Sequence, residues 1–185
     1  MKLTFRFDDI CINTDMQKAN AMAKLLKDRF PSCEVWFCIS PLVHDMSQEM
    51  GKAKERVFPR ILLAYSDHRN HYKVDKCGVP DCPEGVIVAA HGLIHIDHRL
   101  LPEETQAMSI LGCCSLIKSN IFVPPFNKWN KITEEICKDN GIELIKFEDG
   151  WLSMEHNKYN PNHFKWYLHS RELTIKEFSE WIGVP

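Results

Sequence analysis

Gly85-Val86-Ile87-Val88-Ala89-Ala90-His91-Gly92-Leu93-Ile94-His95-Ile96-Asp97-His98 is the stretch on which the fold turns. Residues 85–90 are a short, continuous apolar run, the pattern of a strand buried on both faces, as in parallel sheets. The run ends on a histidine. The same arrangement recurs along the chain. Residues 2–7 alternate polar and apolar and meet Asp8-Asp9; residues 34–39 (Glu-Val-Trp-Phe-Cys-Ile) are another apolar run; 120–123, 142–147 and 165–169 read as further strands. Helical patterns lie between them. Met16, Ala19, Met22, Leu25, Leu26 and Phe30 recur near helical period over 14–29, with Asn13 or Thr14 to cap the start and Pro31 to stop it. A helix at about 102–118 has Pro102 in its first turn and Glu103 and Glu104 at the positive end of its dipole. A short helix at 133–140 ends on Gly141, which suits a left-handed cap, and Thr174 with Glu177 forms a capping box for a last helix at 174–182. Strand–helix alternation of this kind predicts an α/β fold with a largely parallel sheet. Residues 40–84 break the rhythm. They hold four of the ten prolines and read as an insertion over one face or edge, with 57–65 as a candidate further strand.

The 185 residues make a single domain, 1–185, at roughly 150 residues per domain. An apolar share of 44% and a net charge of −2 exclude a disordered chain. The same balance, with a pI near 6.5, excludes a nucleic-acid binder that works through a strongly basic surface. No stretch approaches the ~18 apolar residues of a membrane span. Charges at positions 2, 6, 8 and 9 stand where a signal peptide needs an apolar run, so a cytoplasmic location is expected. The eight cysteines then read as reduced and mostly buried thiols.

In parallel α/β folds chemistry collects beyond the carboxyl ends of the strands. Here those positions carry Asp8-Asp9, then His91 to His98, then Pro124-Pro125-Phe126-Asn127-Lys128-Trp129, then Glu148-Asp149-Gly150-Trp151, then Leu168-His169. Nine histidines spread evenly over the chain would put fewer than one in an eight-residue window, and residues 91–98 hold three. Histidines four apart on one face of a helical turn can share one metal ion. Gly92 occupies the place where a His-Glu-x-x-His protease carries its glutamate base, so that class is excluded and the base must come from elsewhere, with Asp8-Asp9 the obvious supply. Adjacent strand-end carboxylates point in different directions, so one can bind the ion while the other contacts its water. Two histidines and a carboxylate leave positions open for water and substrate, as a catalytic metal requires.

Phe5-Arg6-Phe7-Asp8-Asp9, His91-x-x-x-His95, the proline–aromatic loop, Asp149-x-Trp151 and Leu168-His169, in this order and at strand ends, resemble the motifs of the polysaccharide deacetylases, the NodB-homology carbohydrate esterases. The resemblance spans residues 4 to about 171 outside the insertion. It implies a distorted (β/α) barrel of about seven strands, a divalent metal, usually zinc, and hydrolysis of N- or O-acetyl groups on a carbohydrate substrate. Carried over, it makes Asp8 the general base and Asp9, His91 and His95 the metal ligands. His169 becomes the general acid, with Leu168 and Trp151 as walls of the acetyl pocket. Pro125, Phe126, Asn127 and Trp129 fall in the loop expected to meet the sugar, with the aromatic faces as a stacking platform. His98 is assigned to substrate contact or to support behind the ligands rather than to the metal.

The chain departs from the family pattern at three places. Ile10 stands where glycine follows the paired aspartates, and Gly92 where serine or threonine follows the first histidine. Phe122-Val123-Pro124-Pro125 lacks the arginine that orients the base, a role open to Lys128, Arg6 or Arg171. These departures describe a divergent branch, and they leave two other readings open: a non-catalytic metal- and carbohydrate-binding relative, or a metal hydrolase of another amide or ester. His68, His71, Cys77 and Cys82 form a candidate second metal site within the insertion.

Overall fold

The computed structural model describes residues 2–11, 14–41, 82–93, 95–147, 150–169 and 172–184. Most of the insertion, including the candidate strand at 57–65 and His68, His71 and Cys77, lies outside the described residues.

Among the described residues seven strands form one sheet: β1 (Thr4–Ile10), β2 (Glu34–Ile39), β3 (Val86–Ala90), β4 (Ile121–Phe122), β5 (Glu143–Leu144), β6 (Leu152–Ser153) and β7 (Lys165–His169). Their order is β5-β4-β3-β2-β1-β7-β6, and every neighbouring pair is parallel. Among the described residues β5 and β6 do not pair, so hydrogen bonds leave the ring open.

Side-chain parity shows that the sheet curls. Phe5, Phe7, Val35, Phe37, Ile39, Ala90, Phe122, Trp166 and Leu168 pack on the outer face, against four helices. These are α1 (Met16–Arg29), α2 (Glu103–Ile117), α3 (Lys131–Asp139) and α4 (Ile175–Trp181). The alternate positions, Trp36, Cys38, Ala89 and Val123, make a second, smaller core with Phe147. Phe147, just beyond β5, meets Trp36 of β2 edge-on at 5.7 Å between centroids and lies 4.6 Å from the Arg6 guanidinium of β1. In a flat sheet β5 and β1 would stand about 19 Å apart, four strand spacings, so these contacts require a concave interior. This is the distorted (β/α) barrel that the sequence implies.

Local chemistry accounts for the differences in element bounds. Thr14 does not cap α1, because its hydroxyl accepts a hydrogen bond from the Cys11 amide at 2.9 Å; Asp15 takes the cap, accepting from the Lys18 amide at 3.0 Å. α3 starts before Thr133 because Asn130 and Thr133 make a reciprocal capping box. The box of Thr174 and Glu177 on α4 forms as expected, and Gly141 after α3 adopts φ 65. The run at 142–147 is a strand only at Glu143–Leu144, while β6 has too few residues to show any periodicity. The thiols of Cys11, Cys33, Cys38, Cys113, Cys114 and Cys137 are buried and unbridged.

Candidate metal centre

β1 does not end at Phe7. Its ladder with β2 pairs Phe7 with Phe37 and Ile10 with Ile39, three steps against two, so one residue is extra and the strand bulges. Asp9 is that residue, at φ 57. Simple alternation would send Asp8 and Asp9 to opposite faces. The bulge corrects that expectation. Asp8 stays on the concave face with Arg6, Ile10 rejoins Phe5 and Phe7 in the outer core, and the Asp9 carboxylate also turns inward.

There it meets the histidines. Asp9 Oδ1 lies 3.1 Å from His95 Nε2 and 3.8 Å from His91 Nε2, and one ligand atom from each of the three falls within 4.8 Å of the others. All three side chains are buried. The two histidines do not share a helical turn: they flank a loop in which Gly92, at φ 82, makes a left-handed turn that a larger residue would enter only with strain. His91 Nδ1 sits 2.7 Å from the Val123 carbonyl oxygen, which can only accept, so Nδ1 carries the proton and Nε2 presents a lone pair. Burial, and then the neighbouring His95, push the His91 pKa well below that of an ordinary imidazole, so the ring is neutral. Asp9 Oδ1 is buried and accepts no hydrogen bond. A lone pair therefore faces a carboxylate oxygen in a site closed to solvent. A cation between them removes the repulsion, and two imidazole nitrogens with one carboxylate oxygen are a donor set for a divalent ion such as zinc.

Asp8 is held by Arg6. Nη2 donates to Oδ2 at 2.7 Å, and Nε lies 2.6 Å from Oδ1 as an ion-pair contact without hydrogen-bond geometry, a two-point fork on the carboxylate. Arg6 is 4% exposed. Its burial opposes the charge, but Asp8 outweighs this and the Arg6 pKa rises. Phe147 and Trp151 stack on the guanidinium at 4.6 and 4.8 Å, and Nη1 donates to Asn127 Oδ1 at 2.8 Å. Of the three cations the sequence offered, Arg6 is the one that the described residues place on Asp8. Lys128 instead lies 3.9 Å from Asp97, and Arg171 is outside the described residues.

His169 pairs in register with Asp8 on the neighbouring strand. Its Nε2 is 3.5 Å from Asp9 Oδ2 and its Nδ1 is 3.6 Å from Glu155 Oε1. Glu155 also accepts from the His169 amide at 2.6 Å and from the Ser153 hydroxyl. Burial pushes the Glu155 carboxyl up, but the His169 ring, the Ser153 hydroxyl and the His169 amide together outweigh it and bring the pKa down to about 2. Burial pulls His169 down, but Glu155, Asp9 and Asp8 outweigh it and the imidazole pKa is raised. Sequence reasoning missed Glu155, because it follows a strand of two residues that no pattern announces; Asp149, quoted in its place, is outside the described residues.

The remaining candidates divide. Trp151 stands over Arg6, and its indole N–H is buried without a hydrogen-bond acceptor. Pro125 is buried at the start of a 3-10 turn, Pro125–Asn127, and Phe126, 46% exposed, lays its ring 4.3 Å from that of His95. Three more candidates have protein partners of their own. Asn127 gives its side-chain oxygen inward to Arg6. Leu168 is wholly buried in the outer core beside Phe7, because it alternates with His169 along β7. His98 is 0% exposed with both ring nitrogens occupied, Nδ1 by the Ile96 carbonyl and Nε2 by the Ser109 hydroxyl, each at 3.0 Å. It braces the histidine loop and is not open to a substrate. Trp129 lies under the Lys146 ammonium, which pairs with Glu134 of α3.

No protein-family model and no curated protein matches the sequence. Solved structures do match. The peptidoglycan deacetylase PdaC from Bacillus subtilis aligns with a TM-score of 0.56 at 15% identity, covering 98% of this chain and 82% of the other. A family 4 carbohydrate esterase from Streptomyces lividans, solved with acetate, gives 0.52 at 11% identity over 96% and 82%. A family 4 pseudoenzyme from Bacillus anthracis gives 0.51 at 10% identity over 98% and 60%. The class is thus defined: an α/β chain with the fold of the family 4 carbohydrate esterases. Its sequence is that of a divergent representative of that fold.

Proposed function

We propose that this chain is a metal-dependent hydrolase that removes N- or O-acetyl groups from a carbohydrate. The observation that carries the reading is the convergence of the Asp9 oxygen and the two histidine nitrogens, with Asp8 and His169 flanking it. When bound there, a divalent ion, zinc by its donor set, supplies an activated water and polarises the acetyl carbonyl. Asp8, its plane set by Arg6, takes the proton of the attacking water. His169, whose raised pKa favours the protonated ring and which Glu155 orients, delivers a proton to the departing amine or alkoxide. Phe126 and Trp151 offer the apolar surface and Trp151 the indole N–H that a sugar ring and its acyl group would use.

The non-catalytic reading drew its force from the missing arginine before Pro124, and Arg6 answers that point. The test is acetate release from a panel of N- and O-acetylated sugars with zinc-supplemented protein. Turnover is expected, falling at least about 100-fold in Asp8→Asn, while Asp8→Asn retains zinc and His91→Ala loses it by elemental analysis. Zinc binding without turnover on any sugar would leave the binding relative or a hydrolase of another amide or ester. No bound metal at all would overturn the proposal.

A further inference from the structure

Phe126 and Asn127 both have left-handed backbones, at φ 58 and φ 54. For a bulky residue such as Phe this backbone is strained, and it persists only where the surroundings enforce it. Two contacts gain from it. The turn points the Phe126 ring at His95, with centroids 4.3 Å apart, and one residue later points the Asn127 oxygen at Arg6 Nη1, 2.8 Å away. Arg6 turns one edge, Nε and Nη2, to Asp8 and lies against the rings of Phe147 and Trp151, whose centroids are 4.6 Å apart. Asn127 is thus the polar stop on Nη1, the guanidinium nitrogen that Asp8 does not touch. Without it the planar group keeps its stacking partners but can turn in its own plane, and the fork on Asp8 turns with it.

We infer that Asn127 is a positioning residue: it locks the Arg6 guanidinium so that the fork presents Asp8 in one fixed plane, and it ties that plane to the aromatic ring lying over metal ligand His95. The catalytic consequence rests on the reading of Asp8 as the base; the mechanical link between Asn127 and Arg6 does not.

Glycine separates this role from a purely backbone one. Asn127→Gly suits a positive φ at least as well as asparagine does, so a backbone role predicts no loss. A positioning role predicts that Asn127→Gly and Asn127→Ala behave alike and that Asn127→Asp, which keeps an acceptor oxygen, is rescued. The primary readout is proton–nitrogen NMR of the Arg6 guanidinium in the full chain. Distinct, slowly exchanging Nη protons are expected in the wild type and in Asn127→Asp, and averaged signals in Asn127→Gly and Asn127→Ala. Unchanged Arg6 signals in Asn127→Gly would overturn the inference, whether or not any sugar is turned over. With an active wild type, Asn127→Gly should lower kcat about 10-fold or more with KM within about twofold. An equal kcat in the two proteins would overturn the catalytic consequence and leave the proposed function standing.

Discussion

Arg6 has the geometry on which most of the inner face depends. Its fork uses guanidinium planarity, which a lysine ammonium does not have. Arg6→Lys should therefore fold yet lose at least about 10-fold in acetate release, a larger effect than retention of the charge would suggest. Arg6→Met removes the counter-charge of a buried carboxylate, and breaking such a pair costs about 3–5 kcal/mol; urea unfolding of the metal-free variant checks this. Residue chemistry was well legible in the sequence where it was a matter of type and order: Asp9, His91 and His95 do converge. It was poorly legible where direction decides. Arg6 and Lys128 were equal as cations, and only side-chain parity within a curled strand separates them. Asn127 was read as a substrate contact, and His98 as a substrate contact or a support behind the ligands; the neighbours that engage them, Arg6 and Ser109, are absent from any local pattern.

Elements were legible in proportion to their length. β1 and α1 repeat their patterns and β2 and β3 are continuous apolar runs, whereas β6 and β5 have two residues apiece and are strands only through their partners. The bulge in β1 is the feature with the largest chemical consequence and no sequence signal, since aspartate is an uncommon though tolerated residue at positive φ. It yields a simple prediction. Asp9→Gly and Asp9→Ala both remove the ligand, but glycine fits the bulge backbone and alanine does not. In metal-free protein the glycine variant should be the more stable of the two by about 1 kcal/mol in urea titration. Equal stabilities would mean that the backbone at this position is not held left-handed in solution.

For the whole molecule the histidine loop sets a pH limit. Burial, against the opposing pull of the Ile96 carbonyl and Asp97, lowers the His98 pKa from 6.5 to about 4. The unfolded chain therefore binds a proton that the folded chain refuses. Stability from this group is fully present above about pH 6.5 and is lost as the pH falls from there toward 4, by on the order of 3 kcal/mol. Burial shifts His91 in the same direction. Urea midpoints at pH 7 and pH 4.5 should differ markedly in the metal-free wild type and less in His98→Gln, which also keeps a group able to reach Ser109. A pH-independent midpoint would contradict the burial of that ring. The parallel α/β fold was legible from strand–helix alternation, a local pattern repeated several times, whereas the barrel was implied only by the family resemblance that the motifs carry.

The three-against-two pairing of β1 and β2 has one more corollary. Cut residue 9 out of the chain and the two strands come into even step, with Phe7 and what is now residue 10 still facing the helices and Asp8 still facing inward. The shortened protein is expected to fold with an unbroken ladder, visible as a native far-ultraviolet spectrum and a cooperative melt, and to take up no zinc. A chain that failed to fold would mean the strand needs its extra residue; a chain that folds and stays empty would mean that the scaffold is complete one residue earlier, and that the surplus residue exists for the ion.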